Sequence, residues 1–174
     1  MKVASIQLSV VENNKTATID KAVEGIREAK GADLIVLPEL WNIGFMSLER
    51  YVPEAEDRNG STLSALRNAA RECKVHLHTG SFVEKEGGKL FNSIYLLSPE
   101  GEILANYKKI HLFGYNSKET QILTDGKQVV VAETACSRAL PPSGGKGGGA
   151  FPGLFGLALS EAGARDHAEP GPCP

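Results

Sequence analysis

Apolar residues recur along the chain with two periods, and the change from one to the other lays out most of the elements. Residues 2–8 form a short β-branched and apolar run that predicts a strand. Over 13–30, Ile19, Ala22, Val23 and Ile26 fall three and four apart, one amphipathic helix face, and Gly31 stops it. Asp33-Leu34-Ile35-Val36-Leu37 is an apolar run between Gly31 and Pro38, the pattern of a strand buried on both faces. Ser61 or Thr62 caps a second helix reaching about Cys73, with Leu63, Leu66, Ala69 and Ala70 inward. Further strands are predicted over 75–82, over 91–97 after Gly87-Gly88, over 103–108 after the turn Ser98-Pro99-Glu100-Gly101, and over 128–132.

The order strand, helix, strand, helix, then several strands predicts an α/β layered domain. The early units are parallel crossovers and 91–108 is a hairpin. Functional groups in such sheets gather beyond the carboxyl ends of strands, where Glu39 falls.

The pattern changes at about Cys136. Nine of the 19 glycines and six of the 9 prolines lie in residues 136–174, which contain no Val, Ile, Thr, Tyr, Trp, Asn or Gln. The stretch Ser143-Gly144-Gly145-Lys146-Gly147-Gly148-Gly149 offers little apolar surface against its backbone entropy. Residues 136–174 are therefore expected to form a poorly structured tail to a domain over 1–135.

A net charge of -2 gives no reason to expect a nucleic-acid partner. No apolar run approaches the roughly 18 residues that span a bilayer, and the start of the chain runs straight into the first strand. Cys73, Cys136 and Cys173 are widely spaced and odd in number, which argues against a disulfide framework and points to a reducing cytoplasm.

The candidate chemistry starts from Glu39, a carboxylate just past a buried strand. It is either a solvated strand end or cap, or a group held for proton transfer. Strand alternation sends Lys108 and Lys109 to opposite faces, and the inward lysine requires a partner such as Glu39. Their pairing is either a structural ion pair or part of a site. Glu119 lies in a polar turn, where most glutamates are simply solvated. His76 and His78 share one strand face, but no carboxylate or cysteine at ligand spacing accompanies them, so no metal site is expected. Gly144-Gly145-Lys146 lacks the spaced first glycine and following Ser/Thr of a phosphate loop. No cofactor is called for.

Five segments, in order and at consistent spacing, resemble the carbon–nitrogen hydrolase (nitrilase) superfamily. They are Val3-Ala4-Ser5-Ile6-Gln7, Asp33-Leu34-Ile35-Val36-Leu37-Pro38-Glu39, Gly80-Ser81-Phe82, Phe91-Asn92-Ser93 and Tyr107-Lys108-Lys109-Ile110-His111-Leu112-Phe113. The resemblance is greatest to the branch of ω-amidases and related small-acid amidases. It implies the N-terminal part of an α-β-β-α sandwich, a homo-oligomer, and hydrolysis of non-peptide C–N bonds in a small-molecule amide, nitrile or carbamoyl substrate. It also implies roles: Glu39 as general base, Lys109 as the cation at the tetrahedral intermediate, and Glu119 as a second glutamate supporting that lysine or the substrate.

The third member of the implied triad is a cysteine in a segment resembling Cys-Tyr-Asp-Leu-Arg-Phe-Pro-Glu, and that segment is absent. The likeness is expected to stop at Glu133-Thr134-Ala135. Cys136 comes too early, Cys173 sits at the very end, and Cys73 belongs to a helix. Ala150-Phe151-Pro152-Gly153-Leu154-Phe155 echoes the sequence after the family's cysteine, which puts Lys146 in the nucleophile's place. The expectation is an inactive chain whose C-terminal half is replaced, out of frame or by an alternative terminus. A Cys-Tyr-Asp-like segment in another downstream reading frame would support that origin, and its absence would defeat it. The competing expectation is a non-catalytic fragment or partner of full-length homologues. A third is recruitment of Cys136 as nucleophile.

Overall fold

A computed structural model describes residues 2–114, 118–134 and 157–161. The core is a five-stranded mixed sheet in the order β1 (Val3–Ser5), β2 (Leu34–Val36), β3 (His76–Glu86), β4 (Lys89–Leu97) and β5 (Ile103–Lys108). β1, β2 and β3 are parallel, β4 runs antiparallel to β3, and β5 antiparallel to β4. Both predicted crossovers and the predicted hairpin are therefore present.

The crossover helices α1 (Lys15–Glu28) and α3 (Ser61–Cys73) cover one face of this sheet. Ile19, Ala22 and Ile26 of α1 meet Leu63, Leu66, Ala69 and Ala70 of α3 over Ile35, Leu77 and Phe82. The Asn14 side chain caps α1 by accepting from Ala17 N–H at 2.9 Å. The cap of α3 differs from expectation. Gly60 holds the N-cap position, and the acceptor for Thr62 N–H is the Glu56 carboxylate, at 2.8 Å. Glu56 also takes the Ser61 hydroxyl and pairs with Lys15, tying the two helix starts together.

β3 extends beyond residue 82 to Glu86 because Gly87 and Gly88, at φ +58° and +76°, close a tight hairpin into β4. Two short helices lie outside the predicted set. α2 (Leu48–Glu54) and α4 (Glu119–Ile122) pack through Tyr51, Ile122 and Leu123 onto Leu40, Ile43 and Val83.

On the sheet face opposite α1 and α3, β6 (Val130–Thr134) lays Ala132 against Leu34 and Leu96. β7 (Leu157–Glu161) pairs parallel to β6, so five residues of the expected tail are strand. The rest of that tail, with Cys136, Cys173 and Lys146, lies outside the described residues. Among the described residues no helix is long and apolar enough to cross a membrane.

Candidate active site

Topology explains why distant residues meet. β5 is antiparallel to β4, which is antiparallel to β3, so β5 points the same way as β2. The chain leaving β2 at Glu39 and the chain leaving β5 at Lys109 therefore emerge at one edge of the sheet. Lys109 Nζ donates to Glu39 Oε1 at 2.8 Å and stands 3.5 Å from Glu119 Oε1. Asn92, entering β4 at the same edge, directs its Nδ2 to Glu39 Oε1 at 3.1 Å. The three candidate residues form one cluster, a cation between two carboxylates.

The backbone under each member is clamped. A β-bulge between His78 and Ser81 turns β3 toward the Glu39 segment. Ser81 N–H donates to Pro38 O at 3.0 Å, and the Ser81 hydroxyl accepts Leu40 N–H at 3.1 Å. Gly80 sits at φ +62°, and a Cβ there would stand 2.0 Å from Pro38 O, so this approach requires glycine. Leu40 itself is held at φ +47°, a strained value for a side chain of its size, directly after Glu39. On the other side, Lys109 N–H donates to Asn92 O at 2.9 Å and Lys109 O accepts Gly126 N–H at 2.8 Å.

Glu119 overturns the solvated-loop alternative. It opens α4, is only 1% exposed, and its Oε2 accepts Phe113 N–H at 3.0 Å. Lys108 goes the other way, as alternation requires, pairing with Glu86 and covering the Phe91 ring at 4.2 Å. Beside the cluster, Tyr51 is fully buried and donates to Phe45 O at 2.7 Å. Burial pushes its phenol far above the ordinary range, with Glu119 and Glu39 adding to the effect. Phe45 and Phe113 stack obliquely, 6.4 Å between centroids, as a partly exposed apolar pair. Trp41 does not join them: it is buried, with Nε1 donating to Thr79 O.

His78 Nδ1 accepts Gly80 N–H at 3.2 Å, and no group of three metal-ligating side chains occurs among the described residues. Cys73 is buried in the helix layer, where burial pushes its thiol above the ordinary value, unlike an activated nucleophile.

The described residues thus form an α/β sheet with two carboxylates and an ammonium gathered at one strand edge. The family model for carbon–nitrogen hydrolases matches residues 2–152, and the chain belongs to that family. The match runs past Ala135, where the likeness was expected to end, and takes in only the first three residues of the 150–155 run. The omega-amidase NIT2 of Pongo abelii is 34% identical over 144 residues, covering 78% of this chain and 51% of that protein. The 2-oxoglutaramate amidase of Paenarthrobacter nicotinovorans is 33% identical over 135 residues, covering 75% and 45%. An amidase from Nesterenkonia sp. shares the fold with a TM-score of 0.66 at 23% identity, covering 76% of this chain and 54% of that one. The chain spans about half the length of the curated relatives it matches.

Proposed function

We propose that this edge is the acid–base and oxyanion half of an amidase site for small ω-amides, and that the chain does not complete it with a cysteine. The observation that carries the reading is the Glu39–Lys109 contact of 2.8 Å, backed by buried Glu119. In the full reaction a thiol sulfur bonds to the amide carbon as Glu39 takes its proton. The carbonyl oxygen becomes an oxyanion, and the Lys109 ammonium stabilises it in a water-poor pocket. The C–N bond then breaks as the nitrogen takes the proton back from Glu39, releasing ammonia. Water attacks the thioester, Glu39 accepts the water's proton, and the thiol and the acid are released. Glu119 offsets the charge of Lys109 and fixes it against rotation. Phe45 and Phe113 supply an apolar flank for a short aliphatic amide. None of the three cysteines matches the family's nucleophile segment, so the first step has no sulfur in its usual place.

The test is ammonia release from small ω-amides by the purified chain, with NMR titration of the same amides alongside. The expected result is background release, with amide-induced shifts concentrated at Lys109 and Phe113. Turnover that survives loss of all three cysteines would contradict the thiol chemistry, and shifts elsewhere would contradict the site. Turnover abolished by Cys136→Ala would instead make Cys136 the nucleophile.

A second reading, as a non-catalytic partner of full-length homologues, is favoured by the exposed apolar residues Val129, Val131 and Leu104 on and beside the two sheets. Size-exclusion chromatography with a full-length relative tests it. Failure to co-elute would count against it.

A further inference from the structure

We infer that Asn92 is a positioning residue that sets the geometry of Glu39 and Glu119 together; the inference rests on the proposed role of that carboxylate pair. Asn92 is 1% exposed and lies on β4 opposite Val83. Its Nδ2 stands 3.1 Å from Glu39 Oε1 and 3.5 Å from Glu119 Oε1. Its backbone oxygen takes Lys109 N–H at 2.9 Å. One residue thus touches all three members of the cluster.

The chemistry requires a neutral donor here. Two carboxylates and one ammonium already leave the cluster with an excess negative charge, and ionised carboxylates can only accept. An amide NH₂ has two protons to direct, one toward each carboxylate, and adds no charge. The consequence for Glu39 is specific. Its Oε1 is occupied by both Lys109 Nζ and Asn92 Nδ2. No hydrogen bond from a described residue engages Oε2, which is left to exchange a proton with whatever enters the site. Asn92 Oδ1 is buried without a hydrogen-bond partner, which marks a side chain held for its donor end rather than for its own satisfaction.

The experiment is a mutational cycle on the full chain, read by thermal melting across pH 4–8 and by the NMR signals of the Asn92 side-chain amide. Asn92→Asp keeps the shape, removes the donor and places a third carboxylate against Glu39 and Glu119; Lys109 contacts both glutamates and Tyr51 lies near them. Asn92→Leu removes the donor without adding charge. N92D should melt further below N92L at pH 8 than at pH 4, because the introduced carboxylate is charged at the higher pH and repels the two beside it. Glu119→Gln or Glu39→Gln should remove a large part of that pH-dependent deficit. In the parent chain the Asn92 amide protons should respond to each glutamine substitution. An N92D deficit unchanged by either substitution, or an Asn92 amide blind to both, would reduce Asn92 to packing and overturn the inference. Should N92D fail to fold, the amide signals decide alone. Absence of amide binding at Lys109 would sink the proposed function while leaving these couplings as measured.

Discussion

His78 shows how one side chain can tie stability to pH. It lies next to Val36 and Leu96 in the sheet, and burial lowers its imidazole to about 4. Nδ1 accepts the Gly80 amide, so the ring is neutral with its proton on Nε2. The unfolded chain takes up a proton near the ordinary histidine value, while the folded chain refuses it until about pH 4. Between those values the unfolded state binds more protons, so stability is full above roughly pH 6.5 and declines as pH falls toward 4. The linked free energy is on the order of 3 kcal/mol. Asn offers an acceptor near the Nδ1 position and does not titrate. His78→Asn is therefore expected to flatten this acid limb in urea titrations run from pH 7 to 4. An unchanged limb would place the proton uptake elsewhere.

At the scale of elements, the β3–β4 hairpin invites a stabilising change. Gly87 and Gly88 both sit at positive φ, the backbone of the two-residue hairpin that favours Asn-Gly, and a Cβ at Gly87 meets nothing within 4 Å. Gly87→Asn should raise stability by about 0.5 kcal/mol through the unfolded chain's lost freedom, read as a higher urea midpoint with an unchanged slope. Gly87→Val should lower it. The pairing of β3 with β4 was not foreseen, since β3 was expected to end at 82; α1, α3, β2 and the β4–β5 hairpin were legible because local periodicity and turn chemistry agreed with the final contacts. The short helices were not. α2 carries Pro53 and an exposed Val52, so its only signal was Tyr51 and Arg50 turning inward. The α3 cap was misassigned because its acceptor, Glu56, comes from outside the helix. The site was half legible. Glu39 follows from a strand end, and alternation turns one of Lys108 and Lys109 inward, but only the family resemblance picked Lys109; Asn92 and the burial of Glu119 depend on which strand edges the topology brings together.

At the scale of the molecule, the sheet is clothed unequally. α1 and α3 bury a large apolar cluster on one face, while the other meets β6 through the small group of Leu34, Leu96 and Ala132, with Val36 and Ala105 packed alongside. That contact holds β6 and its partner β7 to the domain, and the polypeptide on to residue 152 still matches the family. Ala132→Asp would set a carboxylate between Leu34 and Leu96, where no described cation faces it and ionisation is strongly disfavoured. Because the helix layer and the Glu39–Lys109 edge are built without β6, the substitution should release β6 and leave the rest folded. Hydrogen exchange would then rise at β6 and at the β5 edge beside it, with α1, α3 and Lys109 still protected. Binding of a hydrophobic dye should increase as Leu34 and Leu96 come into water. If protection were lost everywhere at once, the thinly covered face would instead be integral to a single cooperative unit. The active-site edge would then depend on β6 for its stability as well as on the strands that form it.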